Sequence, residues 1–146
     1  MKYLLDTDVY LFAINSEAGE EFFAQRFFPL IFRTYLASIV IEELYAGALD
    51  AQAVRLVERY VRALERTGRI VAPTFRDWKE AGKLVAHLTR KEPGRKPKVQ
   101  QMLNDILITL CARQIGATVF TFNHEDFVLI RRYKPFSLEA LTRPKG

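Results

Sequence analysis

The chain has 146 residues, 49% apolar and 27% charged, which excludes a disordered or fibrous composition and leaves enough length to bury a core. It carries 22 Lys and Arg against 17 Asp and Glu, a net charge of +5 that suits a polyanionic partner such as nucleic acid. The one cysteine, Cys111, excludes an intrachain disulfide and a multi-cysteine zinc site, and no stretch reaches the roughly 18 apolar residues of a membrane span. Charges at Lys2, Asp6 and Asp8 stand where a secretion signal needs an unbroken apolar run, so the expected compartment is the cytoplasm.

Taken in order, Tyr3-Leu4-Leu5 reads as a short buried strand that runs into Asp6, Thr7 and Asp8 before apolar residues resume at Val9, Leu11 and Phe12. A strand handing over to a helix in this way puts Asp6 at a strand's carboxyl end, where α/β sheets bind ligands. Residues 15–19 read as a polar loop. Phe22, Phe23, Phe27 and Phe28 then fall at helical spacing, and Pro29 interrupts them. Residues 33–37 suggest a second strand, with Ser38 capping a short helix that contains Glu42 and Glu43. Asp50 is placed to cap a helix over 51–65, residues 70–72 to form a strand, and Thr74 to Asp77 to form a capping box for a helix through Trp78, Leu84, Val85 and Leu88. Residues 90–98 are basic, and Pro93, Gly94 and Pro97 argue against regular structure there. A helix follows over 101–115 and ends at Gly116. Residues 117–121 form a strongly apolar strand, and residues 135–138 a last edge strand. Strands alternating with helices predict an α/β fold with a mainly parallel sheet, in a single domain over 1–146.

Four places hold acids in otherwise apolar or strand-end settings. Asp6 with Asp8 comes first; either alone is also a favoured helix N-cap. Glu43 is second, and spacing alone does not separate it from Glu42. Asp105 is third, set among Met102, Leu103, Ile106, Leu107 and Ile108, where a lone buried charge is costly but a helix N-terminus is favourable. Asn123 and Asp126 are fourth, just past the apolar strand.

Together these places resemble the PIN-domain nucleases, and within them the VapC-type toxins of toxin–antitoxin pairs, along nearly the whole chain. The resemblance rests on Leu4-Leu5-Asp6-Thr7-Asp8-Val9, on Ser38 followed by Glu43-Leu44-Tyr45-Ala46-Gly47, on Asp105 opening an apolar helix, and on Thr121-Phe122-Asn123-His124-Glu125-Asp126-Phe127. It selects Glu43 over Glu42. Asp8 departs from the family's more usual Asn, and Thr109 stands where a small Ala is common. The fold it implies is a three-layer α/β/α arrangement.

The resemblance implies a ribonuclease that uses a divalent cation. Asp6 and Asp105 would be the main metal ligands, Glu43 and Asp126 would complete the cluster, Asp8 and Asn123 would orient them, and Thr121 would support the site. Carboxylates without His or Cys favour Mg²⁺ or Mn²⁺ over zinc. A small antitoxin and a homodimer are the partners implied, the latter drawing on the Phe22, Phe23, Phe27 and Phe28 face. Arg95, Lys96 and Lys98 lead into the Asp105 helix and are the expected RNA-binding cations. One rival reads Asp6 and Asp8 as the D-x-D motif of a haloacid-dehalogenase-type phosphatase; it leaves Glu43 unexplained, and a later paired-acid motif is missing. A non-catalytic RNA-binding module of the same fold is the other.

Overall fold

The computed structural model describes residues 1–144. Five strands, β1 (Lys2–Leu5), β2 (Thr34–Ala37), β3 (Ile70–Val71), β4 (Ala117–Thr121) and β5 (Ser137–Ala140), form one sheet in the order β3-β2-β1-β4-β5. Every neighbouring pair is parallel. Parallel pairing needs crossovers, and the helices that provide them cover both faces to give three layers. The helices are α1 (Thr7–Asn15), α2 (Glu17–Arg26), α3 (Ser38–Gly47), α4 (Ala51–Arg66), α5 (Phe75–Lys91), α6 (Lys96–Gln101), α7 (Leu103–Ile115) and α8 (His124–Arg131).

The core explains which runs became strands. β4 is buried at all five positions and lies beside the central β1, whose Leu4 and Leu5 are wholly buried. The register pairs Leu5 with Phe120, which sets the next residues, Asp6 and Thr121, side by side at the carboxyl ends. The Asp6 backbone N–H donates to the Phe120 carbonyl at 2.9 Å and continues the ladder one residue past the strand. The Gly116 backbone at φ 67° ends α7 in the left-handed conformation and turns the chain into β4. Cys111 is buried in α7, and burial pushes its thiol up to about 12, so it is an inert core residue.

Local chemistry accounts for most helix starts. Asp50 accepts the Ala53 N–H at 2.8 Å, and Thr74 and Asp77 form the reciprocal capping box. Ser38 does not cap: it is already the first residue of α3, and no side chain caps that helix. The expected loop over 15–19 shrinks to Ser16, whose hydroxyl accepts the Gly19 N–H at 2.9 Å and so starts α2 directly after α1. Residues 93–101 are regular where the sequence suggested otherwise. Pro93–Arg95 form a 3-10 turn and Lys96–Gln101 form α6, because both prolines sit in first-turn positions where no N–H is needed. The last strand begins at Ser137, two residues later than expected. Trp78 stays 53% exposed, and Ala81, Leu84 and Leu88 are the buried positions of α5.

The aromatic residues after Gly19 pack mostly inward. Phe27 is buried against Phe120, Phe22 meets Phe12, Phe27 and Phe122, and Phe23 meets Tyr10 and Phe27. Of the four phenylalanines, only Phe28 is exposed, followed by Phe32 in the same 3-10 segment.

Candidate active site

The carboxyl ends of β1 and β4 bring the first and last acidic motifs together. Asp6 N-caps α1, and its Oδ1 accepts the Thr7 N–H at 2.8 Å. Its Oδ2 accepts the Thr121 hydroxyl at 2.7 Å. Both residues are buried. Thr121 Oγ1 in turn accepts the Asn123 N–H at 2.9 Å, so one hydroxyl ties the Asp6 carboxylate to the turn after β4. Asp8, in the first turn of α1, accepts the Phe122 N–H through Oδ2 at 3.2 Å. Its other oxygen, Oδ1, is buried without a hydrogen-bond partner. Such an orphan acceptor in a carboxylate cluster is a position where a cation or its water would be satisfied.

Glu43 reaches the cluster from α3. The Thr7 hydroxyl donates to Glu43 Oε1 at 2.8 Å. Glu42 is exposed on the other face of the same helix, so the helix direction separates two acids that spacing could not. Asp105, in the first turn of α7, and Asp126, in the first turn of α8, are bridged by one amide. Asn123 Nδ2 donates to Asp105 Oδ2 at 3.3 Å and to Asp126 Oδ2 at 3.1 Å. The structure thus gathers Asp6, Asp8, Glu43, Asp105, Thr121, Asn123 and Asp126 in one hydrogen-bonded group.

The cations divide. Lys98 Nζ lies 3.2 Å from Glu125 and 3.6 Å from Asp126, and Arg95 lies 3.3 Å from Glu92. Lys96 forms no ion pair among the described residues. A cleft of about 460 Å³ lined by Arg95, Lys98, Glu125, Asp126 and Arg132 among others opens beside Asp126. A second, of about 350 Å³, opens beside Asp8 and is lined by Leu11, Phe12 and Arg143 among others. His87 meets the Tyr133 ring edge to face, and His124 reaches the Leu141 carbonyl at 3.4 Å; neither joins the acids. Two contributors escaped sequence reading. Thr7 was visible only as the middle of D-T-D, and nothing local marked Arg143, whose charge faces Asp8 and whose guanidinium stacks on Phe122 at 4.4 Å.

The electrostatics are those of negative charge confined in a poorly solvated place. Burial, then the Asp8 and Glu43 charges, push Asp6 up to about 7, against the pull of Thr121 and the Thr7 N–H. Burial, then Asp6, Asp126, Glu43 and Asp8, push Asp105 up to about 8. Burial raises Asp8 too, partly offset by the Phe122 N–H and Arg143. The donor set is all oxygen, it repels itself, and it includes an orphan acceptor: these residues fit a hard divalent cation. Among the described residues no three His, Cys, Asp or Glu side chains already close a cage on one point. Mg²⁺ does not require one, since it keeps several waters and takes one or two carboxylates.

The sequence model of one family, described as PIN domain, matches residues 3–133. Among solved structures, the chain is similar to VapBC2 from Rickettsia felis, bound to a DNA fragment from its promoter, at 22% identity and a TM-score of 0.57, over 97% of this chain and 100% of that one. It is similar to FitAcB from Neisseria gonorrhoeae at 20% identity and a TM-score of 0.59, over 93% and 95%. It is similar to DNA-bound VapBC from Salmonella typhimurium at 25% identity and a TM-score of 0.56, over 96% and 98%. A comparison with curated proteins finds no match.

Proposed function

The chain belongs to the PIN-domain family, and on that premise we propose that it is a divalent-metal-dependent ribonuclease that hydrolyses RNA phosphodiester bonds and acts as the toxin of a toxin–antitoxin pair. The observation that carries the reading is the convergence of Asp6, Glu43, Asp105 and Asp126 through Thr7, Thr121 and Asn123. The haloacid-dehalogenase alternative loses its ground with the family match, and it assigned no role to the Glu43 that Thr7 holds in the group.

Asp6 and Asp105 are the residues that would hold Mg²⁺ or Mn²⁺, with Glu43 and Asp126 completing the set. The ion would supply Lewis-acid polarisation of the phosphate and a bound water of lowered pKa. The protein's own contributions are positional. Thr121 and the Thr7 N–H fix both oxygens of Asp6. Thr7 holds Glu43 in place. Asn123 sets the spacing of Asp105 and Asp126, and Asp8 is aimed by the Phe122 N–H. The raised affinity of Asp6 and Asp105 for protons makes them groups whose charge a cation would stabilise strongly.

A small antitoxin partner fits the same reading. VapBC and FitAcB are the complexes this chain resembles. An apolar groove lined by Tyr10, Ile14, Phe23, Leu44, Leu56 and Tyr60 supports it, since Leu56 is 42% exposed there. A homodimer is included on the same footing, with Phe28 and Phe32, 65% and 85% exposed, as its apolar contribution. Arg95, Lys96 and Lys98 are included as cations of the RNA rim.

The test is cleavage of single-stranded RNA with Mg²⁺ or Mn²⁺, stopped by a chelator. Asp6→Asn and Asp105→Asn should each cost more than the roughly 10–100-fold loss typical of a supporting group. Cleavage by either variant at the parental rate overturns the assignment.

A further inference from the structure

The strongest unassigned feature lies on α4, which no part of the acid cluster uses. Arg55, Arg59, Arg62 and Arg66 are all exposed on it. They are spaced four, three and four apart, so at about 100° per residue they fall within an arc of about 60°. Ala53, Val57 and Leu64, the buried residues of the helix, lie on the opposite side. The row is about 16 Å long at 1.5 Å per residue. Together with Glu58 and Ala63 it lines an open depression of about 350 Å³. Among the described residues none of the four arginines is within ion-pair distance of a carboxylate, Glu58 included. Like charges three and four apart on a helix oppose its formation. No ion pair among the described residues offsets that repulsion.

Its placement relates it to the acids. β2 and β3 are parallel, so the chain must return from the carboxyl end of β2 to the start of β3, and α4 is the last leg of that return. The Tyr60 hydroxyl lies 2.8 Å from that of Tyr10, one turn after Asp6, so the middle of α4 packs beside α1, the helix that Asp6 caps. Arg95 and Lys98, the cations on the opposite flank of the sheet, are already engaged with Glu92, Glu125 and Asp126. Among the described residues the four guanidinium groups of the α4 row have no such partner. Guanidinium matches phosphate in a bidentate way and is desolvated more readily than ammonium.

We propose that Arg55, Arg59, Arg62 and Arg66 form a phosphate track that holds RNA flanking the scissile bond. The track rests on the ribonuclease reading for its substrate, and it assigns the extended binding surface that reading lacks. Contacts of this kind position the strand without reading its sequence.

The test compares the parent with a variant carrying Arg55→Gln, Arg59→Gln, Arg62→Gln and Arg66→Gln, and with one carrying Lys at all four positions. Anisotropy of a labelled 20-nucleotide oligouridine, in chelator so that nothing is cut, is read from low to moderate salt. The Gln variant should lower the log–log salt slope by about 0.7 per lost contact, roughly 2–3 in all, and the Lys variant should keep most of it. With Mn²⁺, the Gln variant should raise KM for the 20-mer by more than it raises KM for a tetranucleotide. A parental salt slope in a Gln variant with a normal melting curve overturns the track. So does an unchanged slope with lost binding of a polyglutamate peptide, which makes the row a surface for an acidic protein. Failure of the parent to cut either oligonucleotide overturns the ribonuclease reading alone, because the slope is measured without turnover.

Discussion

The Thr121 hydroxyl donates to Asp6 Oδ2 at 2.7 Å, joining residues 115 apart in sequence at the centre of the sheet. The bond follows from the β1–β4 register, and it holds an Asp6 rotamer that burial and neighbouring charge would otherwise leave undetermined. Thr121→Val keeps the shape of the side chain and removes the donor. It should weaken divalent-ion affinity by about 10–100-fold, while Thr121→Ser restores most of it. Ion titration followed by calorimetry measures this directly, and parental affinity in the Val variant would show that the bond does not position Asp6.

Asp6 and Asp105 bind protons in the folded chain up to about pH 7 and about pH 8, against 3.8 when unfolded. Between those limits the folded state holds more protons than the unfolded one, so unfolding free energy falls as pH rises. The stability is full below the unfolded value and is lost by the folded one. In chelator the melting temperature should therefore fall from pH 5 to pH 8, at most about 1.4 kcal/mol per pH unit for each group. Asp105→Asn should flatten the profile. Mg²⁺ at a hundred times its dissociation constant should return about 2.7 kcal/mol at pH 8, and less at pH 5, where protons compete. A melting temperature that rises with pH in chelator contradicts this reading of the site.

The basic segment separates into two behaviours. Lys98 sits 3.6 Å from Asp126 and 3.2 Å from Glu125, whereas Lys96 has no ion pair among the described residues. Lys96→Gln should lower the salt slope of RNA binding by about 0.7 and leave turnover alone. Lys98→Met should lower turnover, because Asp126 loses the charge beside it, with a smaller change in slope. Equal effects of the two substitutions on slope and turnover would leave Lys98 a rim cation like Lys96, with no added role beside Asp126.

Gly19 sets how closely α2 can approach α1. A Cβ there would lie 1.8 Å from the Phe12 carbonyl oxygen and 2.3 Å from its carbon, and both are backbone atoms that cannot rotate away. Gly19→Ala should destabilise by about 3 kcal/mol, the upper end of overpacking costs. Thermal unfolding should show it as a fall of roughly 6–12 °C. Gly82→Ala, in α5 with open space around its Cβ, is the control and should be neutral or stabilising.

Much of the fold was legible because it is written in local terms. Apolar runs such as 117–121 and the capping residues Asp50 and Thr74 act over a few residues, and they marked strands and helix starts without reference to the rest of the chain. The same holds for the prediction of a parallel sheet, which follows from alternation alone. Where local preference was ambiguous it misled. Pro93 and Pro97 looked like breakers, yet each occupies a first-turn position where a missing N–H has no cost. Ser38 looked like a cap and is already inside its helix.

The identity and order of the acids were also sequence information, carried by Asp6, Glu43, Asp105 and Asp126 in their motifs. What they touch was not. Only the register of β1 on β4 decides that Thr121 meets Asp6, and only the direction of α3 turns Glu43 inward and Glu42 to solvent. Only the return of α8 past α6 brings Lys98 to Asp126 instead of leaving it in solvent. Composition and periodicity report how a residue prefers to sit relative to its neighbours in the chain. Hydrogen bonds and ion pairs between residues 28 or 115 positions apart depend on how whole elements pack, and that is settled by the burial of Leu4, Leu5, Val119 and Phe120 together, not by any of the motifs alone.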